Sequence, residues 1–510
     1  MMSGRRRAVC AVLSGAILAL GAPPLRLWPA VFVSMALFGI AIDGTRARRA
    51  AWLGWLSGAS ATLGAFYWIV GTVTRFTGLP LIAALIVFVL LAAVAGIALG
   101  AAAFVARIAE PVLGHPMSLA CGLLVAERWA PSVFPWQFAA PLIYAPAAPQ
   151  AADLVGISGV GAIVLTSMSA MVSPWTLRAS TAPRRARVYA AIGAVAIVAL
   201  FTYGAVRERA FATTSAHDRV FRVGLVQPAI PATVRWETEH HAEILANLQR
   251  LTNVALSRGA EVVVWSEGAY PWPLPHAAGL DGERGPPVMP LLGTEPIVFG
   301  AMTIDDAGNR YNSTLIRDGA GRISAPVDKR VLVPFGEYIP WVSSIPGIRR
   351  IFARVQGLTP GARPTVLTLP VGVRLGVLNC FEDTLPHVAV DVADAHLLVN
   401  LTNDAWFGEG SAPWQHLMLA QWRSIELRRD LVRAVNMGVT VHVDSRGRIL
   451  EHVPLGEPHA LVFDATPRQS WTPARIAIPW LPRVALVTVA GIALLGAKRR
   501  RALTRPRPAS

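Results

Sequence analysis

A helical membrane region joined to a separate α/β domain is the architecture this sequence predicts, on three observations. Apolar residues make up 53% of the chain and charged residues only 15%. That is too little charge for a water-soluble surface, so a membrane domain is required. Eight apolar stretches approach the roughly 20 residues that a bilayer core demands. Between 219 and 470 the composition turns soluble, and period-2 runs alternate with amphipathic helical patterns, as in an α/β domain with mixed sheets.

In chain order the apolar stretches cover 8–24, 27–43, 51–73, 79–106, 116–132, 154–173, 188–205 and 476–497. Residues 1–210 are thus expected to form a seven-helix membrane domain. An eighth helix follows the soluble block, and 498–510 is a basic tail. The first stretch, after Arg5, Arg6 and Arg7, also fits a cleaved signal peptide. Glu127 and Arg128, inside the fifth stretch, read as a local pair rather than an ion path. The formal net charge of +16 would suit nucleic acid, but its placement is a topology signal. The basic residues at 5–7, 46–49, 107, 178–187 and 498–507 flank apolar stretches and all fall in inside loops. Both termini are then cytoplasmic and the soluble block faces outward, with no role for nucleic acid.

Within 219–470, strands are expected at 222–226, 261–265, 297–301, 313–317, 365–369, 396–400, 432–435, 439–443 and 460–464. Helices are expected after Trp236, where Ile244, Leu248, Leu251 and Ala255 share a face, and over 414–429. No glycine-rich phosphate loop follows a strand, so no nucleotide cofactor is expected. Three cysteines without a C-x-x-C pair exclude a disulfide framework and a cysteine-built zinc site. His240 and His241 are adjacent and cannot share a helical face, so no metal site is expected there.

Cys10 and Cys121 lie in apolar stretches, whereas Cys380 ends the aliphatic run Val373–Leu378 and precedes a helix expected over Thr384–Ala395. At such a strand-to-helix turn a helix N-terminus would favour the thiolate. Lysine is nearly absent, two residues against 45 arginines. Lys498 belongs to the tail. Lys329 sits beside Arg330, so positive charge alone does not explain it. A compact ammonium that can approach a reacting centre does. Glu267 follows the strand VVVW, where a carboxylate is half-desolvated and suited to general-base work. Glu267, Lys329 and Cys380, spaced 62 and 51 residues apart, form a candidate constellation in one α/β domain.

The stretches VGLVQPAIP, VVVWSEGAYPWP, YNSTLI, DKRVLVPFGEYIP, LGVLNCFED, NLTNDAWFG and PWQHLMLAQWRSIELRRDLVRAVNMG resemble the nitrilase, or carbon-nitrogen hydrolase, superfamily. LVPFGE and NDAWFG resemble its membrane-bound branch, the apolipoprotein N-acyltransferases, and the resemblance covers nearly the whole chain. It implies an αββα sandwich carrying a Glu-Lys-Cys triad, here Glu267 as general base, Lys329 as catalytic lysine and Cys380 as nucleophile. Glu337, Trp236 and Glu382 match supporting positions. Val327 and Phe381 depart from tyrosines common in the family. Phe381 keeps its backbone N–H as an oxyanion donor. The implied reaction passes an acyl chain from a phospholipid to a diacylglyceryl lipoprotein, in a bacterial inner membrane, by a monomer without cofactor.

Three other readings compete. A Cys-His pair with His387, His416 or His442 as base would leave Glu267 and Lys329 unexplained. A transporter would carry more intramembrane charge. A tethered amide hydrolase shares the triad but has no need of so large an anchor. The apolar residues Trp341, Ile345, Ile348, Ile351 and Phe352 are expected either to dip into the headgroup region as a lid or to pack as an ordinary loop.

Overall fold

The computed structural model describes residues 2–131, 134–175, 183–214, 220–235, 237–277, 293–340, 355, 357–363 and 366–504. The segment 341–352 discussed above lies outside them. The chain divides into two compact units, one of Met1–Tyr67, Ile86–Arg207 and Ile476–Ser510, the other of Trp68–Leu85 and Glu208–Arg475.

Helices α1 (Gly4–Ala19), α2 (Ala30–Ile42), α3 (Ala47–Ala65), α4 (Ile69–Thr77), α5 (Leu81–Leu113), α6 (His115–Trp129), α7 (Ala152–Met171) and α8 (Pro183–Thr214) precede the strands. In the first unit small and hydroxylated residues set the helix contacts, because apolar surface alone gives no association in lipid. Ser57 donates to Ser14 Oγ at 3.1 Å and Ser14 to the Ser34 carbonyl at 3.0 Å, a hydroxyl chain across α3, α1 and α2. At Gly54 any Cβ would stand 2.3 Å from the Leu99 carbonyl oxygen. Glu127 and Arg128 take different partners. Glu127 accepts from the Phe138 N–H at 2.8 Å, and the Arg128 guanidinium lies 5.7 Å from the Trp129 ring centroid.

The expectation of eight spanning helices, seven of them within 1–210, is corrected. Among the described residues four helices are long and apolar enough to cross a membrane: Leu81–Leu113, Ala148–Met171, Pro183–Phe211 and Ala474–Lys498. They become five if Ala47–Ala65 with Ile69–Thr77 is one broken span. The stretches at 8–24, 27–43 and 116–132 hold helices of only 16, 13 and 15 residues. At about 1.5 Å per residue, α2 is about 20 Å long against a hydrocarbon core of about 30 Å. Gly21, Pro23, Pro24, Pro29 and Pro131 extend an apolar window yet break or bound a helix.

The second unit contains two sheets. Strands β1 (Phe221–Gln227), β2 (Val262–Trp265), β3 (Leu274–Pro275), β4 (Ile297–Ile304), β5 (Arg310–Arg317) and β6 (Val327–Asp328) join β13 (His459–Ala465) in the order β13-β1-β2-β4-β5-β6, with β3 beside β4. Strands β7 (Val366–Thr368), β8 (Arg374–Asn379), β9 (Leu397–Asn403), β10 (Leu431–Asn436), β11 (Val441–Val443) and β12 (Ile449–His452) form the second sheet in the order β12-β11-β10-β9-β8-β7. Each expected strand has a counterpart near its place, because period-2 alternation of buried aliphatics marks a two-sided sheet.

The layers follow from which side chains cluster. Val223, Leu225, Val264 and Val298 of the first sheet bury against Val377, Val399, Leu401 and Val432 of the second. The other face of the first sheet is covered by α9 (His241–Ser257) through Leu248, Leu251 and Ala255. The second is covered by α10 (Pro386–Val390) and α11 (Ser411–Leu427) through Val388, Leu417 and Ala420. The result is a four-layer αββα sandwich. The chain then enters α12 (Ala474–Thr504).

Strands β1, β2 and β4 run parallel, as do β8, β9 and β10. Chemistry gathers beyond the C-terminal ends of parallel strands, where loops leave the sheet. Glu267 follows β2 and Cys380 follows β8. The helix expected over Thr384–Ala395 is shorter than the sequence suggested. Cys380–Thr384 is a 3-10 turn, and α-helix covers only Pro386–Val390. Pro386 lacks the N–H that would continue a helix from the cysteine.

Candidate active site

The turn that carries Cys380 is fixed by its own capping residues. Asn379 and Glu382 form a capping box in which the Asn379 N–H donates to Glu382 Oε2 at 2.9 Å. Thr314 donates to Asn379 Oδ1 at 2.6 Å, and Asn400 donates to the Leu378 and Cys380 carbonyls at 2.7 and 2.8 Å. Cys380 is held at φ +50°, a left-handed conformation that costs a non-glycine residue energy and recurs at functional turns.

Lys329 follows β6 and is 1% exposed. Its Nζ lies 2.7 Å from Glu337 Oε1 and 3.4 Å from Glu267 Oε1. Asn312, on β5, donates to Glu267 Oε1 at 2.6 Å and to Glu337 Oε1 at 3.4 Å, so one amide and one ammonium hold both carboxylates. The Lys329 N–H donates to the Asn312 carbonyl at 2.8 Å, which ties the lysine's own backbone to the same strand. Glu337 Oε2 accepts from the Val333 N–H at 2.8 Å. Gly300 leaves room for the turn after β2, since a Cβ there would stand 2.8 Å from the Glu267 Cα.

Glu382 links the lysine to the cysteine. Its Oε1 accepts from the Arg330 and Val331 N–H groups at 2.7 and 3.0 Å while its Oε2 caps the cysteine turn. One buried carboxylate therefore sets the register between the segment after Lys329 and the segment bearing Cys380.

Burial pushes the Cys380 thiol well above its usual range. The Glu267 charge adds to this and the Lys329 charge opposes it. The expected helix-dipole stabilisation of the thiolate is thereby overturned: a 3-10 turn supplies no aligned macrodipole, and desolvation dominates. Burial would lower the Lys329 ammonium, but the charges of Cys380, Glu337 and Glu267 outweigh it and hold the pKa well above the ordinary lysine range. With the thiol raised in this way, a proton acceptor is needed before sulfur can attack.

Two of the candidate histidines, His416 and His442, are already paired with carboxylates. Burial would depress His416, but Asp383 first and then Asp404 raise it to about 9 against the neighbouring Arg433, so its ring is protonated at neutral pH. Its Nε2 lies 2.9 Å from Asp383 Oδ1 and its Nδ1 3.2 Å from Asp404 Oδ1. His442 Nε2 lies 3.1 Å from Asp430.

Residues 14–170 match the family described as Apolipoprotein N-acyltransferase N-terminal domain, and residues 222–475 match Carbon-nitrogen hydrolase. An apolipoprotein N-acyltransferase of Geobacter metallireducens is 31% identical over 477 residues, 88% of each chain. One of Azotobacter vinelandii is 30% identical over 512 residues, 97% of this chain and 96% of that one. The chain belongs to the apolipoprotein N-acyltransferase family. It is an acyltransferase and a multi-pass membrane protein. An amidase from Nesterenkonia sp. is similar in structure over 48% of this chain and 90% of that chain, with 20% identity and a TM-score of 0.35.

Among the acyltransferase residues singled out from the sequence, Glu267, Lys329 and Glu337 meet through direct contacts, and Glu382 and Phe381 lie on the Cys380 turn. Trp236 lies outside the described residues. Three groups were not placed at the site from the sequence, where only His416 among them was named, as a competing base. Asn312 lies in YNSTLI, and only the β5 register, which sets Ser313 opposite Asp328, brings it beside the lysine. Arg235 donates to the Gly268 carbonyl at 2.7 Å; burial lowers its pKa, while the charges of Glu267 and Cys380 raise it. Asp383, three residues after Cys380, belongs to a buried set with Asp404, His416 and Arg433, in which Arg433 Nε lies 3.2 Å from Asp383 Oδ2.

Proposed function

We propose that this acyltransferase carries a fatty acyl chain from a membrane phospholipid to the α-amino group of an S-diacylglyceryl cysteine at a lipoprotein N-terminus, through a thioester on Cys380. The observation that carries the reading is the buried Lys329 ammonium, 3.4 Å from Glu267 and 2.7 Å from Glu337 and electrostatically coupled to the Cys380 sulfur.

In the first half-reaction Glu267 takes the thiol proton as sulfur attacks the ester carbonyl. Lys329 and the Phe381 N–H stabilise the oxyanion. Collapse breaks the ester C–O bond, and the proton on Glu267 passes to the leaving lysophospholipid oxygen. In the second half the amine attacks the thioester, its surplus proton passes to Glu267, and collapse returns the sulfur, reprotonated by Glu267, as the thiol. An α-amino group with a pKa near about 7.7–8 is partly neutral at pH 7, so this acceptor needs no stronger base. Both halves balance without redox change. Glu337 holds Lys329, Glu382 holds the Cys380 turn, and Trp236 is a supporting position.

The catalytic domain at 219–470 faces the periplasm, both termini and the tail 498–510 are cytoplasmic, and the enzyme acts as a monomer. The positions of the basic clusters support this orientation.

The test is mass spectrometry of a diacylglyceryl lipopeptide incubated with full-length enzyme and phospholipid. A third acyl chain on nitrogen, and its loss in Cys380→Ala, is expected. Free fatty acid with an unmodified amine would make the protein a hydrolase instead.

A further inference from the structure

We propose that His416 is a positioning residue for formation of the acyl-enzyme, its protonated ring joining the Cys380 turn to the end of β9 and cancelling carboxylate charge that acts on the sulfur. The inference rests on the reading of Cys380 as the residue that carries the acyl chain. His416 lies on α11, and its two ring nitrogens face different carboxylates. Nε2 is 2.9 Å from Asp383 Oδ1 and Nδ1 is 3.2 Å from Asp404 Oδ1. A neutral imidazole has one N–H and an ionised carboxylate has none to give, so both contacts are hydrogen bonds only when the ring carries two protons.

Arg433, on β10, closes the circuit. Its Nε lies 3.2 Å from Asp383 Oδ2 and its Nη2 3.6 Å from Asp404 Oδ2. Signs alternate through Asp383, His416, Asp404 and Arg433, and the four charges sum to zero. The side chains of Asp383, Asp404 and Arg433 are 0% exposed and that of His416 9%, so screening by salt and water is weak. Arg423 of α11 also feels Asp383, but its Nε is 2.9 Å from Glu426 Oε2, so it brings its own counter-charge.

Two members of the circuit are tied to the chemistry. Asp383 stands in the turn Cys380–Thr384, so a pull on its side chain is a pull on that turn. Asp404 follows β9 and, after burial and Glu267 and against Lys329, raises the Cys380 thiol. Loss of the His416 proton leaves one carboxylate without its donor and gives the circuit a net negative charge. That charge opposes both the thiolate and the oxyanion that follows its attack. Against burial first and then Arg433, Asp383 and Asp404 hold the ring's titration at about 9. The Cys380 thiol and the Lys329 ammonium are both held well above their ordinary ranges, so neither accounts for a transition there.

The test is single-turnover acyl-enzyme formation by the full-length protein in detergent, followed as a function of pH, with tryptophan fluorescence reporting the fold. The donor is alkyne-tagged phosphatidylglycerol, whose headgroup has no amine to titrate. The wild-type rate should fall with a midpoint near about 9 while the protein stays folded. His416→Gln should lose that fall and react about 10-fold to 100-fold more slowly at neutral pH, the order of loss for a misplacement of about 1 Å. Asp404→Asn removes one carboxylate that raises the ring, so its fall should come at lower pH, and it keeps the test open if His416→Gln does not fold. A wild-type rate level through about pH 9, a fall that coincides with unfolding, an undiminished rate or the same fall in His416→Gln, or an unmoved fall in Asp404→Asn overturns the role of His416. A wild-type protein that takes no label on Cys380 at any pH would instead defeat the thioester reading, and this inference with it.

Discussion

Lys329→Arg preserves charge and removes everything else that distinguishes the residue. The lysine is 1% exposed, and its Nζ is already 2.7 Å from Glu337 and 3.4 Å from Glu267. A guanidinium brings a planar fork into that space, and overpacking of this kind costs about 1–3 kcal/mol. Its charge would then be drawn into bidentate pairing with the two carboxylates and away from the sulfur and the oxyanion. Losing one such donor slows an acyl-transfer step by roughly 100-fold to 1000-fold. The assay is single-turnover formation of the acyl-enzyme from an alkyne-tagged phospholipid, with the thermal midpoint and Cys380 alkylation by a small reagent followed in parallel. The expected result is a rate at least about 100-fold lower in a protein that remains folded and alkylatable. A rate within about threefold of wild type, less than 1 kcal/mol of barrier, would refute the argument that the ammonium's compactness matters.

Glu267→Gln should separate acidity from catalysis. Removing a negative charge beside Cys380 favours the thiolate, so alkylation of the thiol should begin at lower pH, while acyl-enzyme formation collapses because the proton acceptor is gone. A profile unmoved or moved upward contradicts the electrostatics described. His416 binds its proton more tightly in the folded protein, with a pKa of about 9 against an ordinary 6.5. Its stabilising contribution is therefore complete below pH 6.5 and is lost as pH rises through about 9. Urea unfolding between those limits should show a shallower decline for His416→Gln than for wild type, and equal slopes would mean that the histidine is not charged in its pocket. For topology, reporters fused after Arg207 and after Arg499 should report the outer face and the cytoplasm respectively, and a cytoplasmic signal from the first would reverse the orientation.

The sequence by itself determined most strand positions, and it singled out Glu267, Lys329 and Cys380 as candidates. Those features are local. Short aliphatic runs mark β1, β8 and β9 directly, and two lysines against 45 arginines, one of them Arg330 next door, single out Lys329. Helix length was misjudged because hydropathy weighs transfer into lipid and is blind to hydrogen bonding, so Pro23, Pro24 and Pro29 passed as membrane residues. The thiol's acidity was misjudged for a related reason. A helix after Cys380 was plausible until Pro386 and the 3-10 turn removed it, and burial, which no local pattern records, then set the sign. Asn312, Arg235 and the Asp383, Asp404, His416 and Arg433 set were decided only by tertiary structure. Each gains its role from strand register and from hydrogen-bond partners 12 to 50 residues away in the chain, and a buried polar group is understood only when the groups that satisfy it are known.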